Sequence, residues 1–142
     1  MSRFSRPLYS EKALAIAKLN ALASGVVINF MQGNLFEPVQ GMVFDVIISN
    51  PPYVKSGAID LLPRFVRDFV PFIAINGGED GLFFHRAIMS GARDFLRLGG
   101  SLFIECEDDQ DKELESIAIK FSWEIKDKFP NRHGKIRGFR LT

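Results

Sequence analysis

The chain has 142 residues, of which 46% are hydrophobic and 25% are charged, and its formal net charge is +1. This composition fits one globular domain, and the near-neutral charge argues against a large electrostatic surface for duplex DNA. The single cysteine excludes an intrachain disulfide and a multi-cysteine zinc site, and the lack of a run of about 18 apolar residues excludes a membrane span.

The N-terminal part of the chain predicts an arm, a helix and two strands. Residues 1–9 have no periodic pattern and are expected to form a loose arm. Apolar residues at helical spacing predict a helix over residues 11–22. Runs of β-branched residues predict a short strand over 26–30 and a buried strand over 44–49. No hydrophobic segment of a signal peptide precedes them, so we expect a cytoplasmic location.

The strand over 44–49 leads directly into Asn50-Pro51-Pro52-Tyr53. Neither proline has an N–H to give to a neighbouring strand, so the ladder stops there and Asn50 is held in an extended conformation. In open α/β sheets, ligands bind at the carboxyl ends of the strands. The Asn50 side-chain oxygen and the Pro51 carbonyl can accept the two N–H groups of a planar NH2, while the Tyr53 ring packs on it. The motif therefore predicts transfer to a planar nitrogen, driven by positioning and by a dry pocket, with no metal.

The C-terminal part predicts a long loop, two helices and three strands. Residues 53–81 form an excursion of the kind that is usually functional, with a short helix near 59–62. An apolar stripe predicts a helix over 82–98, closed by Gly99-Gly100, and a second helix covers 109–121. The predicted strands are 101–106, 123–129 and 136–141, and a turn-rich hairpin joins the last two.

These blocks together resemble a known family. The likeness rests on Gly33–Pro38, Phe44–Tyr53, Asn76–Leu82, Leu98–Leu102 and Glu105. They are similar to the HemK/PrmC family of S-adenosylmethionine-dependent methyltransferases, which methylate the glutamine of the Gly-Gly-Gln motif in peptide chain release factors. The resemblance implies a partial class I, Rossmann-like α/β methyltransferase domain over residues 10–142. Five of the usual seven strands are found, the first two are absent, and an antiparallel hairpin ends the domain.

The resemblance also assigns site residues. It implies that the catalytic residues are Asn50, Pro51, Pro52 and Tyr53, and that the cofactor is bordered by Asn34, Leu35 and Asn50. The family's ribose-binding acid would fall at Leu8, and no glycine-rich turn precedes Ser10. We therefore expect an N-terminally truncated chain whose binding of S-adenosylmethionine is weak or absent. The implied partner is a peptide chain release factor.

Two other functions stay open. In the first alternative, the chain is a catalytically dead remnant or a binding module without a cofactor site. In the second, it is a DNA or RNA amino-methyltransferase. The near-neutral charge and the block Asn76–Leu82 favour a protein substrate. Without the first two strands, the strand over 44–49 would keep an open edge, so self-association is expected.

The remaining polar residues have structural interpretations. Glu79 and Asp80 are expected to cap a helix rather than act as a general base. Cys106 is expected to be a buried structural thiol. His85 and His133 are expected on a surface or a helix face, because neither has a ligand partner nearby in the sequence.

Overall fold

The computed structural model describes the backbone of Phe4–Leu8 and all of residues 11–142. The chain folds as two compact units, Met1–Met42 and Val43–Thr142. The sequence predicted one domain over residues 10–142, and the boundary after Met42 was not predicted. Within the described residues, no helix combines the length and apolarity needed to cross a membrane.

The first unit contains a parallel strand pair. Strand β1 (Phe4–Leu8) pairs with β2 (Ile28–Gln32), and helix α1 (Glu11–Ala23) connects them. The prediction of a loose arm is wrong for Phe4–Leu8, so the described residues form six strands rather than five. These five residues carry no alternation of apolar and polar residues that would indicate a strand. Their extended conformation is stabilised by pairing with β2. The proline within β1 is tolerated because β1 pairs on one side only.

Helix α1 ends in a glycine cap. Gly25 has φ +65°, its N–H donates to the Leu22 carbonyl at 3.1 Å, and the Val26 N–H donates to the Ala21 carbonyl at 3.1 Å. This is the Schellman arrangement, and it turns the chain toward β2. Leu14 and Ala21 are the buried residues of α1, while several of its other apolar side chains are exposed.

The second unit contains a four-stranded sheet in the order β3-β4-β6-β5. Its strands are β3 (Phe44–Ser49), β4 (Leu96–Glu105), β5 (Ile125–Pro130) and β6 (Ile136–Leu141). Strand β3 runs parallel to β4, whereas β6 is antiparallel to both β4 and β5. The predicted C-terminal hairpin is therefore confirmed.

Two helices cover one face of this sheet. They are α4 (Phe83–Gly91) and α5 (Asp111–Lys120), which follow two short helices, α2 (Arg64–Arg67) and α3 (Phe72–Ile75). The buried side chains of this face come from both layers: Met89, Leu102, Ile104, Leu114, Ile117, Phe139 and Leu141. Each such side chain contributes about 1.5–3 kcal/mol when it leaves water, so this layer holds the unit together.

Strand β3 forms an edge of the sheet. Within the second unit it pairs with β4 on one side and with no other strand. Val46 and Ile48 of β3 remain 48% and 79% exposed, and Phe129 of β5 remains 43% exposed. The open edge predicted for this strand is therefore present within the described residues, and self-association stays a prediction.

The glycine pair Gly99-Gly100 does not end a helix. Helix α4 ends at Gly91, a 3-10 turn covers Ala92–Phe95, and β4 has already begun at Leu96. The glycines lie inside β4, where the register against β3 shifts between Phe44 and Val46. The predicted helix over 82–98 was too long. The apolar residues that continue the helical spacing after Gly91 belong to the 3-10 turn and to the start of β4.

Candidate functional site

Asn50 follows the last residue of β3, and its side chain is exposed. Among the residues that the structure describes, its carboxamide makes no hydrogen bond. The backbone beside it is well supported, because Pro51 is buried and Pro52 and Tyr53 are half-buried. The arrangement presents a free carboxamide on a stiff loop at the carboxyl end of a strand.

The glycine-rich block downstream packs directly against this loop. The Val54 N–H donates to the Ile75 carbonyl at 3.0 Å, and the Gly77 N–H donates to the Val54 carbonyl at 2.8 Å. A Cβ atom at Gly77 would lie 2.8 Å from the Pro52 carbonyl oxygen, and one at Gly81 would overlap the Tyr53 carbonyl oxygen. The two glycines are therefore needed because backbone approaches backbone here.

Gln110 fixes the main chain of Tyr53 from the other side. Its buried side chain donates from Nε2 to the Tyr53 carbonyl at 3.1 Å, and its Oε1 accepts from the Glu107 N–H at 3.0 Å. Gln110 immediately precedes α5, so the motif loop is tied to the start of that helix. Gln110 was not predicted as a site residue from the sequence.

The Tyr53 hydroxyl lies in a polar network. Arg137 donates from Nη2 to the Tyr53 oxygen at 3.0 Å and to Glu105 Oε1 at 3.2 Å, and the Tyr53 hydroxyl lies 3.5 Å from the same carboxylate oxygen. The guanidinium carbon of Arg137 lies 5.3 Å from the centroid of the Tyr53 ring. Burial raises the pKa of the Tyr53 phenol, and the hydrogen bond from Arg137 opposes that rise. Tyr53 is therefore a neutral phenol at pH 7 with a fixed ring.

A cleft of about 410 Å³ opens beside this network. Its walls come from all four strands of the sheet and include Asn50, Glu105 and Arg137. The Phe103 and Phe129 rings, also in the lining, stack with centroids 6.0 Å apart and an interplanar angle of 23°. Its volume falls in the range of small-ligand pockets, and its lining combines apolar walls with a few polar groups.

Asp80 has a structural role. Its Oδ1 accepts the Leu82 N–H at 3.0 Å just before α4, and Arg86 pairs with its carboxylate at 2.7 Å. The hydrogen bond from Arg86 lowers the pKa of Asp80 to about 2. The predicted helix cap is not formed, because the N-cap residue of α4 is Leu82 without a side-chain cap, and Asp80 instead supports the turn that precedes the helix.

The two histidines differ in their surroundings. His85 lies on helix α4, as one of the two predicted alternatives has it, but it is buried rather than at the surface, and its Nε2 lies 2.8 Å from the Glu105 carbonyl oxygen. Burial lowers the pKa of His85, so the neutral ring donates this hydrogen bond and supports the Glu105 backbone. His133 is exposed, as predicted. Cys106 is buried, and burial raises its pKa to about 12, which agrees with a structural thiol.

Two of the three residues predicted to border the cofactor, Asn34 and Leu35, belong to the first unit, and the third, Asn50, belongs to the second. Asn34 is exposed in the turn after β2, where its N–H donates to Glu37 Oε2 at 3.3 Å. Leu35 has φ +46°, a conformation that non-glycine residues rarely adopt and that often accompanies ligand sites. Strand β1 ends at Leu8, the position that the resemblance gives to the ribose-binding acid. The residues present therefore fit an adenine through the Asn34 carboxamide and lack the acid for a ribose.

Two solved methyltransferases share the fold of this chain. The chain superposes on a methyltransferase from Pyrococcus furiosus with a TM-score of 0.72 and 19% identity, covering 98% of this chain and 61% of the other. It superposes on a ribosomal protein L11 methylase from Lactobacillus delbrueckii subsp. bulgaricus with a TM-score of 0.67 and 15% identity, covering 97% of this chain and 56% of the other. These superpositions confirm the predicted fold class, a partial Rossmann-like α/β sheet of the kind found in these two methyltransferases.

Sequence comparisons identify the family. Residues 9–78 match the model of the methyltransferase small domain. The chain is 41% identical over 96 residues to a release factor glutamine methyltransferase of Geobacter sulfurreducens, and 35% identical over 117 residues to that of Thermodesulfovibrio yellowstonii. These matches cover 68% and 82% of this chain, and 34% and 42% of the relatives. The chain belongs to the release factor glutamine methyltransferase family, and it spans less than half the length of these relatives.

Proposed function

We propose that this chain carries the amide-binding part of an S-adenosylmethionine-dependent methyltransferase whose substrate is the glutamine side chain of a release factor Gly-Gly-Gln motif. The observation that supports it most is the free Asn50 carboxamide on a rigid loop at the end of β3, which lines a cleft together with Arg137, the residue that holds the Tyr53 hydroxyl. The relatives are named for a glutamine of a release factor, which supports this class of substrate. Such a substrate would place the reaction in the cytoplasm.

In this proposal the residues of the motif orient the amide. The Asn50 Oδ1 accepts one N–H of the glutamine carboxamide, and the Pro51 carbonyl accepts the other. Two acceptors in fixed positions hold the nitrogen toward the methyl donor and favour a localised lone pair, which matters most in the transition state. The half-buried Tyr53 ring packs on the planar amide and excludes water from it.

The cofactor supplies an electrophilic methyl group when it is bound. In this chain Asn34, Leu35 and Asn50 would border it, with Asn34 offering an oxygen to the adenine amino group. Since Leu8 offers no acceptor to the ribose, we propose that the affinity for S-adenosylmethionine is low.

The test compares acceptors at a high concentration of S-adenosylmethionine. A Gly-Gly-Gln peptide, a Gly-Gly-Asn peptide and a single-stranded oligonucleotide are incubated with the chain and analysed by mass spectrometry. The proposal expects a methyl group on the glutamine peptide alone. Methylation of the oligonucleotide alone would favour the nucleic-acid alternative, and no methylation of any acceptor would favour the remnant or binding module.

A further inference from the structure

We propose that Arg137 is a positioning residue of this site, which holds the Tyr53 ring and the Glu105 carboxylate in place beside the Asn50 loop. The inference rests on the proposed function for its catalytic consequence, but its structural part can be tested without any methyl transfer. Arg137 lies on β6 and Tyr53 on the loop after β3, so the contact joins residues 84 positions apart.

Arg137 contacts both Tyr53 and Glu105. Its Nη2 donates to the Tyr53 oxygen at 3.0 Å and to Glu105 Oε1 at 3.2 Å, and the guanidinium carbon lies 5.3 Å from the ring centroid. A cation at this distance from an aromatic ring is attracted to its π system, in addition to the hydrogen bond. The phenol is therefore restrained at its oxygen and at its ring by one side chain.

Arg137 is itself held in place. Its Nη1 donates to Glu107 Oε1 at 2.6 Å and lies 3.5 Å from Asp108 Oδ1, and its carbonyl accepts the Cys106 N–H at 3.0 Å. The side chain is 28% exposed, so these ion pairs are only partly screened by water. A planar guanidinium can donate to Tyr53 from one nitrogen and to Glu107 and Asp108 from the other. An ammonium group cannot make these contacts with the same geometry.

The consequence for the site follows from the lining of the cleft. Glu105 and Arg137 both face it, together with Asn50. If Arg137 is removed, the Tyr53 hydroxyl keeps, among the residues that the structure describes, only the long 3.5 Å contact with Glu105, and that carboxylate loses the cation beside it. The ring that should pack on the substrate amide then samples other orientations, and the carboxylate brings an uncompensated charge to the cleft.

The experiment is a spectrophotometric titration of the Tyr53 phenol. The chain has two tyrosines, so a Tyr9→Phe background leaves Tyr53 as the only phenol. In that background Arg137→Met is compared with Arg137→Lys and with Arg140→Met. The last is a matched control, because Arg140 also lies on β6 but pairs with Asp127 at 2.6 Å. Circular dichroism at each pH selects the range in which every variant is folded.

The proposal predicts that Arg137→Met moves the Tyr53 titration to higher pH, because a hydrogen bond and a positive charge that favour the phenolate are lost. Arg137→Lys should show a smaller shift, and Arg140→Met none. Equal midpoints in Arg137→Met and the unsubstituted background would overturn the proposal whether or not the chain methylates anything.

A second measurement tests the catalytic consequence where methylation of a Gly-Gly-Gln peptide is observed. Arg137→Met should lower kcat by about tenfold or more and change KM for the peptide by less than about threefold, since misplacement of a positioned group acts mainly on the chemical step. Partial recovery in Arg137→Lys would support positioning. An unchanged kcat would overturn the catalytic role, and the titration would still decide the structural one.

Discussion

The close packing of the glycine-rich block against the motif loop predicts a large cost for Gly81→Ala. Gly81 has φ +76°, and an added Cβ would overlap the Tyr53 carbonyl oxygen and lie 2.7 Å from Gln110 Nε2. The backbone conformation alone costs an alanine about 1–2 kcal/mol. The overlap adds about 1–3 kcal/mol, as other small-to-large changes in packed regions do, so the expected loss of unfolding free energy is about 2–5 kcal/mol.

Gly134→Ala is the matched control for this substitution. Gly134 has φ +81° and nothing lies within 4 Å of its added Cβ, so this variant carries only the conformational cost. Both changes restrict the unfolded chain alike, so that effect cancels in the comparison. Urea denaturation followed by circular dichroism measures both losses. If Gly81→Ala costs no more than Gly134→Ala, the block does not hold the motif loop by close backbone contact.

Three further predictions follow from the same structure. Isothermal titration calorimetry should show S-adenosylmethionine binding at least about tenfold weaker than in a relative with an acid at the ribose position, because Leu8 offers no acceptor for hydrogen bonds that are worth about 1.5–3 kcal/mol each to a charged group, and equal affinities would contradict this. Because the pKa of Asp80 is lowered to about 2, its ion pair with Arg86 stabilises the fold above about pH 4, and this stabilisation is lost as the pH falls toward 2. The unfolding free energy should therefore exceed that of Asp80→Asn by at most about 1 kcal/mol at neutral pH, since the site is half-exposed. Urea titrations at several pH values should show this difference disappear between about pH 4 and pH 2. Sedimentation velocity should show self-association that Ile48→Lys on the edge strand abolishes. Leu61→Lys, at a similarly exposed position in the 3-10 turn Ser56–Leu61, should leave it unchanged, and a monomer at all concentrations would refute this role of the edge.

The sequence predicted those parts of the fold whose signals are local. The β-branched run that ends at Ser49 marked a strand, and the prolines after it marked the point where the ladder stops. Strand β1 was missed because Phe4–Leu8 has no alternation of its own and depends on its pairing with β2. Gly99-Gly100 was misassigned because a glycine pair after an apolar stripe is equally compatible with a helix end and a bulge in a strand.

The candidate site was predictable only in its local part. Asn50–Tyr53 is one continuous motif, so its position at the end of a strand followed from the sequence. Arg137 and Gln110 reach Tyr53 from positions 84 and 57 residues away, and no local pattern separates them from solvated residues. The burial of His85 was missed for the same reason, because its partner is a backbone carbonyl of another element.

The central claim is that the Asn50 carboxamide orients the substrate nitrogen, and steady-state kinetics of Asn50→Ala test it most directly. At saturating S-adenosylmethionine with a Gly-Gly-Gln peptide, kcat should fall by about 100-fold while KM for the peptide changes by less than about threefold, because the contact is strongest in the transition state. Asn20→Ala, at an exposed position of α1, should leave both constants unchanged. A turnover in Asn50→Ala equal to that of the unsubstituted chain would contradict the claim and leave Asn50 with a structural role only.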